Sequence, residues 1–236
     1  MLNDFFDRIK VPEFLKAEFA KIDWYLVISK LHDILDNNIK NTELNSISDS
    51  LKYSGKVYIG KNCKIGDYVV IEGPAYIGDN VEIGPHVEIR PGSVISNNCI
   101  VAHAAETKNC IMMEQSRISN HSFLGDSIIG YNSRLGGHSE TTNRRFDQNE
   151  IYFSYKDRKL KTNLDKLGLI LGEESRLGGN VVTAPGTMIG KKTFVSTGIN
   201  VSGFIPPNKF LKAKIEYEIK DNLFQEYLKK SPSIFT

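Results

Sequence analysis

The sequence predicts a mainly β protein whose body is a left-handed parallel β-helix. Three observations predict it. Aliphatic residues fall exactly six apart at Ile59, Ile65, Ile71, Ile77, Ile83, Ile89, Ile95 and Val101. Two places before each stands a mostly small residue: Val57, Cys63, Val69, Ala75, Val81, Val87, Ser93 and Cys99. The pattern resumes at Phe123, Ile129 and Leu135, and again at Leu171, Leu177, Thr183, Ile189, Val195 and Val201. A period of six matches neither a helix nor a simple strand. It matches a short strand plus a turn, and three such units make one triangular coil of about 18 residues. The aliphatic residue points into the prism, and glycines at 60, 66, 78 and 84 permit the turns. Such a unit buries its apolar side only when stacked on others.

The flanks have a different character. Residues 1–54 read as a helical N-terminal segment and linker. Phe5, Phe6 and Ile9 recur at helical spacing, and Trp24, Val27, Ile28, Leu31, Ile34 and Leu35 suit one apolar face. The stretch 41–54 is polar and serine-rich. The coils are expected over 55–205, interrupted by a loop at 141–167 that is too long for a coil turn. This loop carries Lys156, Arg158, Lys159 and Lys161, which suit either a solvated face or contact with a phosphate. Residues 206–236 are expected to leave the coils as a C-terminal helix, with Leu211, Ile215, Ile219, Leu223 and Tyr227 along one side.

Among the 236 residues, 30 are basic and 28 acidic, a net charge of +2. That balance offers no electrostatic argument for nucleic acid or an anionic membrane. No apolar run approaches the roughly 18 residues of a membrane span. The N-terminus lacks the basic-then-apolar order of a signal peptide. The three cysteines are odd in number and lack metal-like spacing. Cys63 and Cys99 take inward positions as packing residues. A cytoplasmic protein is the expectation.

Ile89-Arg-Pro-Gly, Glu106-Thr-Lys-Asn, Phe123-Leu-Gly-Asp-Ser-Ile-Ile-Gly, Asn143-Arg-Arg-Phe-Asp and Lys166-Leu-Gly follow one another in an order that carries a resemblance. The chain resembles the hexapeptide-repeat acyltransferases of the left-handed β-helix superfamily. Residues 56–205 are most similar to the acetyltransferase half of the bifunctional N-acetylglucosamine-1-phosphate uridylyltransferase, and to related sugar-1-phosphate nucleotidylyltransferases. The first 55 residues hold neither a long α/β domain nor a glycine-rich phosphate loop, so uridylyl transfer is not expected.

The resemblance implies a homotrimer, acetyl-CoA as co-substrate bound between prisms, and a sugar or sugar-phosphate acceptor. It implies that Arg90 and Lys108 grip phosphate and that Asn143 contacts the sugar. The family's general-base histidine falls on Asn120, its neighbouring tyrosine on Phe123, and one of its asparagines on Arg134, so the resemblance places Asn120 among the catalytic candidates and Phe123 and Arg134 with the acceptor. The family's Gly-Ala-Gly becomes Gly136-Gly137-His138. Gly137, Gly178, Thr197 and Gly198 would line the CoA tunnel. An ammonium must lose a proton before it attacks a thioester; an imidazole can take that proton near neutral pH, and an amide cannot.

His86, His103, His121 and His138 are spaced 17, 18 and 17 apart, near one coil each. They should lie near one prism edge. Three readings stay open: polar residues stacked on an exposed edge, a base supplied by His121 or His138, or a metal site like that of carbonic anhydrases of the same fold. The closely spaced histidine pair of those enzymes is missing here, and no metal ligands are assigned. Three functions follow: a CoA-dependent acyltransferase, a non-catalytic homologue that binds a sugar nucleotide or a protein, and a carbonic-anhydrase-like protein.

Overall fold

The computed structural model describes residues 1–42, 49–214 and 216–221. Strands of two or three residues stack into three parallel eight-stranded sheets, the faces of a β-solenoid. The first face starts at Lys52–Ser54, the second at Val57–Ile59 and the third at Lys64–Ile65. Each strand pairs with its counterpart one coil on, as in Val57↔Ala75↔Ser93. The predicted ladder from Ile59 to Val101 lies within one continuous core that also takes in Leu171, Leu177, Ile189 and Val201. Corners need left-handed backbone. Asn62, Asn80 and Asn98 supply it at successive coils with φ of 56°, 55° and 59°, a conformation that asparagine tolerates.

The coil length is not constant: on the first face strands pair 18 residues apart up to Thr107, 17 apart in the next two coils and 18 apart again after the insertion, and the last pairing of the third face, Phe194 with Phe210, spans 16. The corner Pro91-Gly92-Ser93 is answered one coil on by Asn109-Cys110, so Ile89 pairs with Thr107 at 18 residues but Thr107 pairs with Leu124 at 17. This shift turns Phe123 outward and puts Leu124, fully buried, into the core. The expected inward position of Phe123 is therefore corrected by one residue.

The N-terminal segment is helical in short pieces: 3-10 turns at Leu2–Asp4 and Trp24–Lys30, and helices α1 (Glu13–Phe19) and α2 (Leu31–Asn38). They cover the second face, whose outward residues Val94, Ile111, Ile128, Ile170 and Met188 are all buried. That face is thus apolar on both sides, which a single period-six pattern does not express. Trp24 packs 5.3 Å from Phe6 and 5.9 Å from Phe5 and Phe19. Gly130 admits this layer: a β-carbon there would meet Phe6 Cε1 at 2.8 Å. Backbone bonds fasten the layer, with Glu173 N donating to Phe5 O and Lys191 N to Asp4 O. Glu173, fully buried, accepts Arg8 N at 3.0 Å.

The insertion at 141–167 has structure of its own. Tyr152–Tyr155 and Arg158–Lys161 pair as an antiparallel hairpin. Phe153 and Tyr155 pack into the N-terminal layer. Arg158, Lys159 and Lys161 are solvated, while Lys156 reaches Asp4 at 3.0 Å. The 41–54 stretch is likewise more than a linker. Asn41 and Thr42 bond along the strand Val57–Ile59, and Lys52–Ser54 pairs with Val70–Glu72. Residues 43–48 lie outside the described part.

The expected C-terminal helix is not formed over 208–214 and 216–221. Phe210–Leu211 instead adds a last strand to the third face, pairing with Phe194–Val195. Leu211 packs against the solenoid core, and Ile219 is 96% exposed, so no buried helical stripe exists there. Ile215, Leu223 and Tyr227 lie outside the described residues.

Two predictions follow from burial and charge. Burial pushes the Cys99 and Cys110 thiols up to about 12, leaving them as inert thiols at neutral pH. In the native protein a thiol reagent should label the half-buried Cys63 first, and all three only after denaturation; rapid native labelling of Cys99 contradicts the core assignment. Separately, the Tyr155 hydroxyl, bonded at 2.6 Å, and then Lys156 hold the Asp4 carboxyl below its ordinary value. A lowered folded value stabilises above the unfolded pKa, about 4, and that contribution fades as pH falls through the folded value. Asp4→Asn should therefore lower the melting temperature at pH 7, with the gap to wild type closing well below pH 4. A gap unchanged in acid refutes this.

Candidate active site

The corner between the third and first faces holds a ladder of rings. Tyr68, His86, His103, His121 and His138 follow one another at centroid distances of 5.2, 5.5, 5.1 and 5.0 Å. His86, His121 and His138 occupy left-handed corner positions with φ of 59°, 54° and 56°. In the His103 coil that position belongs to Ala104. The one-residue phase difference shows in the rings: both contacts of His103 are edge-on, at 89° and 86°, while His121 and His138 stack at 19°. His121 and His138 are exposed.

These two imidazoles border an open depression of about 340 Å³ on the first face, shared with Glu106, Phe123 and Glu140. The Phe123 ring runs from there across Gly125. A β-carbon at Gly125 would collide with that ring and come within 3.0 Å of Asn143 Nδ2. Phe123 thus joins the histidine edge to the opposite edge of the same face, where the phosphate-binding candidates lie. Arg90 pairs with Glu106 at 2.7 Å, which raises the guanidinium's pKa. Lys108 stands one coil on from Arg90, as the 18-residue count predicts.

The organising group at this edge is Asp126, which the sequence reading did not single out. It is 3% exposed, with Lys108 Nζ at 3.9 Å. It accepts Asn109 Nδ2 at 2.7 Å and Asn143 Nδ2 at 2.5 Å. A buried carboxylate needs such partners. Its signal was present in the Leu-Gly-Asp segment at 124–126, read only as a family marker. Asn143 is fixed from behind as well, since Leu167 N donates to its carbonyl where the insertion rejoins the coil. Beyond Asn143 lies a hollow of about 690 Å³ between Arg144–Asp147 and Ala184, Pro185 and Ser202, with Phe146 fully exposed at its rim. Arg145 and a backbone N–H hold the Asp147 carboxyl well below the usual range.

The remaining candidates lie around the corner. Asn120 is exposed beside His121, and its carbonyl accepts His138 N at 3.0 Å. Gly137, Gly178 and Thr197 line a depression of about 540 Å³ on the third face, together with Arg134, Arg176 and Phe194. Gly198 follows Thr197 at the corner, with φ of 69°. Arg134 faces this depression and sends Nε to Ser119 Oγ at 3.3 Å. The structure therefore separates Arg134 from Phe123 and Asn143 and groups it with the glycines. Arg134 and Arg176 line this depression with no carboxylate among its lining residues, so it is electropositive; burial, and then Arg134, lowers the Arg176 pKa. The histidine corner is the ridge between the two depressions. Among the described residues no group of three or more His, Cys, Asp or Glu side chains is placed to hold a metal ion.

Asp126→Asn should leave one buried amide donor or the Lys108 ammonium without an acceptor. The expected cost is about 1–3 kcal/mol in denaturant unfolding. Unchanged stability would show that Asp126 does not organise this edge.

Residues 71–146 match the family model of the GMPPB C-terminal domain. The chain is 33% identical over 178 residues to a bifunctional sugar-1-phosphate nucleotidylyltransferase/acetyltransferase of Sulfurisphaera tokodaii. That match covers 75% of the chain but 44% of the relative, so the chain spans less than half of that protein. It is 34% identical over 188 residues to the putative uncharacterized acetyltransferase YaiX of Escherichia coli K12, covering 78% of the chain and 81% of the relative. A putative acetyltransferase of Bacillus cereus superposes over 69% of the chain and 78% of its own, with TM-score 0.38 and 19% identity. With its stacked hexapeptide coils and a relative matched along most of both chains, this protein belongs to the hexapeptide-repeat acetyltransferase family.

Proposed function

We propose that the protein transfers an acyl group, acetyl from acetyl-CoA, to the amine of an amino sugar, its phosphate or a nucleotide sugar. The observation that carries this reading is the ridge of His121 and His138 between two depressions of different chemistry. On the third face Gly137, Gly178 and Thr197 leave a shallow, side-chain-poor path for the CoA arm, with Gly198 at its end and Arg134 and Arg176 available to phosphate. On the first face Arg90 and Lys108 would hold the acceptor's phosphate. Phe123 would pack against the sugar and Asn143 would bond its hydroxyls. Glu106 and Glu140 favour the ammonium form on arrival.

An imidazole at the ridge takes the proton from nitrogen. The freed lone pair attacks the thioester carbon, the carbon–sulfur bond breaks as the imidazolium passes its proton to the departing thiolate, and the nitrogen's second proton leaves to solvent to give the neutral amide. His121 is the assigned base, with His138 stacked behind it. Asn120, an amide, can bond the acceptor or the oxyanion but cannot take the proton. Both depressions are open in a single chain, and a neighbouring prism would close them; a homotrimer is part of the proposal.

Turnover of acetyl-CoA against glucosamine-1-phosphate and a panel of amino sugars and their nucleotides tests the reading. His121→Ala should lower kcat by about 10²–10⁴, and Lys108→Ala should act chiefly through the acceptor's KM. If no acceptor turns over and CoA leaves the melting temperature unchanged, the reading falls. Binding of a nucleotide sugar without turnover would instead establish a non-catalytic homologue, which Asn120 at the family's histidine position favours.

A further inference from the structure

A second cavity lies on the opposite side of the prism, where the N-terminal segment crosses the second face. It measures about 540 Å³, within the roughly 300–1,000 Å³ range of small-molecule sites. Its aromatic wall is Tyr58 and Tyr76, stacked at 5.0 Å and 9°, with Phe14 of α1 edge-on to Tyr76 at 5.4 Å. Ser96 lines the cavity at 2% exposure, and its Oγ has no hydrogen-bond partner. Glu114 lines it half-buried, and no cation lies within ion-pair distance among the described residues. Among the described residues its one side-chain hydrogen bond is accepted from Asn97 Nδ2 at 3.5 Å. The lining cation Lys16 is already paired with Glu13 at 2.5 Å. Lys40 stands at the other end, where Thr42 N bonds Val57 O beside Tyr58. Three coils separate that end from Glu114, about 14 Å at 4.8 Å per coil.

We propose that this cavity binds an organic ammonium ion with an apolar body. The ammonium meets Glu114, the body lies along Tyr76, Tyr58 and Phe14, and Lys40 fixes the direction by repelling the charged end. Carboxylate and aromatic faces together favour a cation in a partly desolvated site, and the unpaired Ser96 hydroxyl supplies an unused hydrogen bond. None of these residues borders the histidine ridge, so the site is independent of acyl transfer.

The test is calorimetric titration of the full chain with benzylammonium and its neutral counterpart, benzyl alcohol. Benzylammonium should bind saturably and at least ten times more tightly than the alcohol. Glu114→Gln should erase that preference while leaving CoA binding and acyl transfer unchanged. Should Glu114→Gln fold poorly, Phe14→Ala, on the exposed side of the cavity, should weaken benzylammonium at least tenfold. Equal binding of the two probes, no saturable binding, or a preference that survives Glu114→Gln overturns the proposal.

Discussion

Everything else in this molecule depends on the parallel ladder that ties each coil to the next. Strands of two or three residues have no stability alone. They persist because their N–H and C=O groups are satisfied by neighbouring coils, while the inward side chains close-pack along the prism axis. The same ladder fixes lateral position. A residue on one coil is held above its counterpart on the previous one, so a site can be assembled from residues far apart in sequence. Asn143, Asp126 and Asn109 meet because 17-residue steps place them on one edge.

The three faces share this ladder but not their surroundings. The second face is apolar outward and is sealed by the N-terminal segment and the 152–161 hairpin. Trp24, ringed by Phe5, Phe6 and Phe19, is the centre of that seal. Burial there leaves the first and third faces, and the histidine corner between them, as the surfaces on which polar chemistry is displayed. The charge distribution follows: carboxylates beside the histidines on one side, arginines on the other.

The repeat was legible in the sequence because an inward aliphatic every six residues has no simpler physical cause. The histidine column was legible for the same reason, through spacings near one coil. Phe123 was misplaced by one residue because a two-residue corner at Asn109-Cys110 is invisible to a fixed count. Over the described residues 206–214 and 216–221 the expected helix gives way to a strand, because Leu211, although apolar at helical spacing from its neighbours, is claimed first by a strand position on the last coil. Asp126 escaped notice because its role rests on Asn109 and Asn143, seventeen residues away on either side, and burial cannot be read from a Leu-Gly-Asp segment. Arg134 follows the family's acceptor register, yet it stands on the third-face strand Arg134–Leu135 beside the glycines, a placement that a register count does not express.

The central claim is that the histidine corner separates a CoA path on the third face from an acceptor pocket on the first. A crystal structure with CoA bound tests it most directly. The account predicts the CoA arm along Gly178 and Thr197, with the thiol at the ridge within about 3–4 Å of the acceptor position served by His121 or His138. CoA seated elsewhere, with the third-face depression unoccupied, would contradict it.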